Sequence, residues 1–179
     1  SNGITYDGGS GNDTLVLEGS TGGVASAYTV GSTADRGTII HTLGANTQAV
    51  FFQNLEPVID VVVGTLTVNA TNAANAITYT GGPNSGTALV GGTTTGQVAV
   101  DDFGTIEFAN KTTLTINALG GSDTISLSTP TTPTGLTGIM VSGGNPTASD
   151  EVVVNGTSAT ETIQFTPTAT DAALVTVGA

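Results

Sequence analysis

Apolar and polar residues alternate with period 2 in short blocks along the chain, as in Leu66-Thr-Val-Asn, Ile77-Thr-Tyr, Leu114-Thr-Ile-Asn and Ile125-Ser-Leu. Such alternation gives each segment one inward and one outward face and predicts half-buried β-strands. Gly, Asn and Ser cluster between the blocks and supply the tight or positive-φ backbone that a bend requires.

The blocks repeat. Segment 66–80 lies without gaps on segment 114–128 at an offset of 48, so that Leu66, Val68, Asn69, Ala70 and Ile77 meet Leu114, Ile116, Asn117, Ala118 and Ile125. Segment 152–166 takes the same frame at an offset of 86, which puts Ile163 and Phe165 where Ile77 and Tyr79 stand. A second register of 51 relates Tyr28-Thr29 to Tyr79-Thr80, and Phe52-Gln-Asn-Leu-Glu to Phe103-Gly-Thr-Ile-Glu. Many of the second strands open on a polar residue: Asp13-Thr-Leu-Val-Leu, Asn75-Ala-Ile-Thr-Tyr, Asp123-Thr-Ile-Ser-Leu, Glu161-Thr-Ile-Gln-Phe and Asp150-Glu-Val-Val-Val.

Internal repetition of strand, small-residue turn and strand predicts an all-β fold, a parallel β-solenoid-like repeat of stacked β-arcs, with a β-sandwich as the alternative. Residues 1–179 are expected to form a single β-repeat domain. Ser128 to Gly138, which holds Pro130 and Pro133 among threonines, is the expected hinge or excursion, because proline cannot donate within a ladder. Ile77, Ile125 and Ile163 are expected to be equivalent core positions.

Composition narrows the classes of function. The chain is 37% hydrophobic and rich in Thr and Gly, which fits a folded strand-and-turn protein. Fourteen acidic residues face two basic ones, for a formal net charge of -12, so the clustered cations that nucleic-acid binding needs are missing. Anionic membrane surfaces are disfavoured on the same ground, and no apolar run approaches the roughly 20 residues of a membrane span. Arg36 and Lys111 read as isolated cations. There is no cysteine, hence no disulfide or thiolate chemistry. Together with the scarcity of lysine this suits an exported bacterial protein, extracellular or at the cell surface.

Gly8-Gly-Ser-Gly-Asn-Asp13-Thr-Leu-Val16 matches the nonapeptide G-G-x-G-x-D-x-U-x position for position. Here the chain resembles the haemolysin-type calcium-binding (RTX) repeats of exported bacterial proteins. The resemblance implies calcium held by the Gly8 and Ser10 carbonyls and the Asp13 carboxylate, with Leu15 in the core. Gly120-Gly-Ser-Asp123 is a shortened version, and Gly143-Gly144-Asn145 to Asp150 a lengthened one. The alternative is a purely structural role for the glycines. More loosely, the chain is similar to the Thr-rich, Cys-free repeat regions of large bacterial surface or matrix proteins.

Catalysis finds little footing. His41 is the single histidine and reads as an ordinary surface residue, and no G-x-S-x-G elbow singles out a nucleophilic serine. Asp101-Asp102 would alternate faces in a strand and so would not pair as glycosidase carboxylates. Asn12, Asn69, Asn110 and Asn155 satisfy N-x-[ST] and are the candidate glycosylation sites. The expectation is a non-enzymatic structural module of a surface layer, matrix fibre or filament, whose partner is itself, head to tail, either as a homo-polymer or as covalent repeat neighbours in a longer chain. That docking is inferred from the offset of 86, under which Ala179 falls partway through a repeat. An adhesin or glycan-binding module is the alternative, and a carbohydrate-active enzyme a third reading.

Overall fold

The computed structural model describes residues 3–82, 91, 93–129, 131–144, 149–157, 160–169 and 172–178. Among them the chain is all-β. Its strands are β1 (Gly3–Asp7), β2 (Leu15–Leu17), β3 (Val24–Val30), β4 (Arg36–Leu43), β5 (Asn46–Gln53), β6 (Val58–Asp60), β7 (Gly64–Asn69) and β8 (Ala76–Gly81). They continue as β9 (Gly96–Val100), β10 (Ile106–Phe108), β11 (Lys111–Asn117), β12 (Thr124–Ser128), β13 (Gly138–Ser142), β14 (Glu151–Asn155), β15 (Thr162–Ala169) and β16 (Ala172–Gly178).

These strands form two mixed sheets. One has nine strands in the order β1-β5-β4-β3-β7-β11-β13-β16-β15, and the other seven in the order β14-β12-β8-β9-β10-β6-β2. Side chains from both contribute to one buried cluster, with Tyr28, Val68, Leu114 and Ile116 from the first and Ile77, Tyr79, Phe108 and Ile125 from the second.

The offset of 48 is a physical neighbour relation. Strands β7 and β11 pair in parallel with Leu66 beside Leu114 and Val68 beside Ile116, and β8 pairs with β12 with Ile77 beside Ile125. The same step joins β6 to β10, with Val58 beside Ile106. Alternation explains the burial: along β8 and β12 every second side chain points into the core. The glycine-rich turn before β12 is forced by the stacking, because a Cβ on Gly121, at φ +115°, would lie 2.5 Å from the Ala73 backbone of the neighbouring turn.

The other two registers are corrected. Tyr28 pairs with Val68 in the nine-stranded sheet, whereas Tyr79 belongs to the seven-stranded one, so the spacing of 51 relates residues that are not stacked. The offset of 86 equates Val152 with Leu66, yet Val152 lies beside Ile125, and Val154 beside Leu127. Strand β14 therefore continues the β8-β12 ladder. Ile163 and Phe165 fall on the antiparallel β15–β16 hairpin and are 45% and 66% exposed, so Ile163 is not a core equivalent of Ile77. A run of three valines fits either strand of an arc equally well. What decides its place is Asp150, whose Oδ1 accepts the Asp123 N–H at 3.0 Å.

The described part of the expected excursion, 128–138, is held by backbone bonds. The Thr134 N–H donates to Thr94 O, the Asn110 N–H to Thr134 O and the Thr137 N–H to Thr112 O. Pro133 is buried, and residue 130 lies outside the described residues.

Candidate functional site

The most unusual chemistry lies inside the core. Asp60 ends β6 on the inward face shared with Val58, and its side chain is completely buried. Facing it from the nine-stranded sheet are Lys111 at the start of β11, His41 on β4 and Ser26 on β3. Lys111 Nζ lies 2.9 Å from Asp60 Oδ2, and His41 Nε2 lies 3.2 Å from the same oxygen. The Lys111 ammonium also donates to Ser26 Oγ at 2.9 Å and to the Val62 carbonyl at 2.5 Å. Asp60 Oδ1 accepts the Val62 N–H at 3.0 Å.

All three ammonium hydrogens thus find acceptors, as a buried charge requires. Burial pushes the Lys111 pKa down against the pull of Asp60. At Asp60 burial acts to raise the carboxyl, but the His41 hydrogen bond and the Lys111 charge outweigh it and hold the group below its ordinary value. The cluster joins the two sheets across the core, and Asp60 and Lys111 have no exposed side-chain surface.

His41 and Lys111 are therefore neither a surface residue nor an isolated cation: the chain's single histidine and single lysine meet at one buried carboxylate. Strand parity hides this. Counting back from Leu114 and Ile116 by twos puts residue 112, not 111, on the inner face. A bulge between Lys111 and Thr113, opposite Gly64 and Thr65, turns Lys111 inward. Asn110, at φ 60°, makes the preceding bend and anchors its side-chain amide on Val61 O at 3.1 Å. On β4, Ile39-Ile40-His41 offers two apolar residues in succession, and either could mark the inner face.

A second polar row follows the stacked turns. Asp123 Oδ1 accepts the Asn75 N–H at 2.7 Å, just as Asp150 accepts that of Asp123. Asp101, in the turn after β9, accepts the Ala76 N–H and the Asn75 amide. Asp123 is buried, its Oδ2 has no hydrogen-bond partner, and burial first, then Asp150 and Asp101, push its carboxyl upward.

The calcium candidates Gly8, Ser10 and Asp13 lie on the loop between β1 and β2. A Cβ on Gly8 would meet Asn54 O at 2.1 Å, so this glycine has a packing reason to be glycine. The Gly8 N–H donates to Gln53 O, and Asp13 O accepts the Glu56 N–H. Ser10 is exposed and Asp13 half-buried. Among the described residues, no three His, Cys, Asp or Glu side chains converge as a metal-holding group. Of the lengthened turn, 145–148 lie outside the described residues, as does Ala179.

Of the glycosylation candidates, Asn12 and Asn155 are exposed, whereas Asn69 and Asn110 are half-buried. Asn69 bonds to Thr29 and Asn117 in a polar row across β3, β7 and β11.

No family model matches the chain, and neither a curated protein nor a solved structure matches it.

Proposed function

We propose that the chain is a structural module of a bacterial extracellular assembly, a β-solenoid-like stack of arcs that extends by docking end to end on a second copy. The observation that carries this reading is the uncovered core at both ends of the sheets. Ile4 and Tyr6 of β1 stand in register beside the buried Val50 and Phe52 and so face inward, yet they are 46% and 38% exposed. At the other end, Phe165 lies opposite Val175, which itself stands opposite the core-packed Ile139, and Val152 continues the inward row of Ile77 and Ile125. Phe165 and Val152 are exposed as well.

Among the described residues both sheets also keep free edges, β1 and β2 at one end and β15 and β14 at the other. A second copy stacked head to tail would cover inward apolar side chains with inward apolar side chains and extend both ladders. Negative-stain microscopy tests this: fibres with a subunit-sized repeat are expected, and monodisperse single modules at high concentration would refute it.

Calcium at the Gly8 to Asp13 loop belongs to the same reading, supported by the nonapeptide match. Excess chelator is expected to lower the melting temperature modestly, and unchanged melting and proteolysis would remove the ion from the account.

A further inference from the structure

We propose that Lys111 and Asp60 condense to an amide, a covalent cross-link between the two sheets that forms inside the folded chain. The buried cluster alone supplies both reacting groups, independently of any docking between copies. A nucleophile and an electrophile are fixed in contact, Nζ at 2.9 Å from Oδ2, in a site with no exposed side-chain surface on either partner. Holding two reacting groups in this way replaces a bimolecular encounter by a unimolecular step. Exclusion of water also removes the solvent that favours the separated ions.

The step balances within the cluster. A proton first passes from the Lys111 ammonium to Asp60 Oδ2 along their hydrogen bond, turning two buried charges into a neutral amine and a neutral carboxylic acid. The Nζ lone pair then attacks Asp60 Cγ. Negative charge develops on Oδ1, where the Val62 N–H already donates at 3.0 Å and stabilises it. The nitrogen must lose a proton and the departing Oδ2 must gain one. His41 Nε2, at 3.2 Å from Oδ2, is placed to carry it. The Cγ–Oδ2 bond breaks, one water leaves, and no oxidant, reductant or other reactant is consumed. The product keeps its polar groups satisfied: the amide oxygen retains the Val62 N–H, and the remaining amide N–H has the Val62 carbonyl and Ser26 Oγ within reach.

Such a bond would tie β6 to β11 in a chain that has no cysteine with which to make a disulfide. The burial of the only lysine beside a carboxylate then has a reason beyond an ion pair.

The test is the intact mass of the purified chain under denaturing conditions, followed by trypsin. The cross-linked chain is expected to weigh one water less than its sequence. After denaturation it should be cut at Arg36 alone, giving 1–36 and 37–179, because the acylated Lys111 is no longer a substrate. The full sequence mass, with cleavage into 1–36, 37–111 and 112–179, would overturn the proposal. Asp60→Ala and Lys111→Met should each show the full mass of their own sequence. His41→Ala should lose water more slowly than the parent, read by mass at intervals after refolding; equal rates would remove His41 as the proton carrier.

Discussion

Ile125 lies in register beside Ile77, one repeat of 48 residues behind it, and neither side chain has any exposed surface. This contact joins the sequence repeat to the core, because the residues that match along the chain are the ones that touch in the fold. Truncating either to Ala deletes buried methylenes that the neighbouring strand cannot replace, at a cost of about 2–5 kcal/mol. Ile163→Ala, at a position 45% exposed, should stay within roughly 0.5 kcal/mol of the parent monomer. Urea unfolding of the three variants checks the ranking. A large loss at Ile163 equal to that at Ile77 would restore the discarded offset.

The buried charges predict a different pattern. In the uncondensed chain, Lys111→Ala leaves the buried Asp60 charge with only His41 and the Val62 N–H as partners, and breaking such a pair costs about 3–5 kcal/mol. Replacing both partners, as in Asp60→Leu with Lys111→Met, removes the stranded charge along with its partner and should recover much of that loss. A double-mutant cycle measured by denaturant unfolding gives the coupling. Additive losses would mean that the two side chains do not interact.

Asp123 makes stability depend on pH in the sense opposite to an ion-paired carboxylate. Burial, then Asp150 and Asp101, raise its folded-state value above that of an ordinary carboxylate, so the fold holds the proton after the unfolded chain has released it. Its stabilising contribution is present below that unfolded value and is lost as pH rises through the raised one. Asp123→Asn keeps an oxygen for the Asn75 N–H while removing the charge. It should melt higher than the parent at neutral pH, with the difference closing as the pH falls below the carboxylate range. Melting curves across that range check it, and a variant less stable at neutral pH would mean that a charged Asp123 is required.

The legible part of this fold was whatever repeated with an intact strand period. Leu66-Thr-Val-Asn and Leu114-Thr-Ile-Asn carry both the period of a strand and the period of the repeat, so the sequence gives their pairing and their inner face together. The all-β class follows from the same alternation. The β3-β4-β5 meander was not legible, since its antiparallel pairs come from local turns at Gly31 to Arg36 and at Gly44 that have no counterpart in the repeat. The buried cluster was hidden for a related reason. Lys111 reaches the core through a bulge that breaks alternation, Asp60 sits in the apolar run Val58-Ile-Asp-Val-Val-Val, and His41 follows two isoleucines of opposite parity. Where the pattern is locally uniform or locally broken, side-chain direction is set by pairing with distant strands.

The exposed inward face at the C-terminal end of the sheets makes the last prediction, which rests on the proposed docking. Phe165, 66% exposed on edge strand β15, and Ile4, 46% exposed on edge strand β1, sit at opposite ends of the nine-stranded sheet. If the ends stack, each is buried against the other copy. An Asp at either position would then place an uncompensated charge in a newly formed core, on a module already carrying a net charge of -12. Phe165→Asp and Ile4→Asp should therefore each abolish fibres while leaving the monomer folded, since neither side chain is buried within its own chain. The two variants carry opposite defective ends, so each retains one intact end. In the mixture, the intact C-terminal end of Ile4→Asp can dock on the intact N-terminal end of Phe165→Asp. Complementation should stop at that one pairing, because the outer ends of the resulting dimer are both defective. Sedimentation of each variant and of the equimolar mixture reads this out: monomers alone, and dimers without longer species when mixed. Long fibres from either single variant would show that these ends do not meet, and a mixture that stays monomeric would show that the contact is not head to tail.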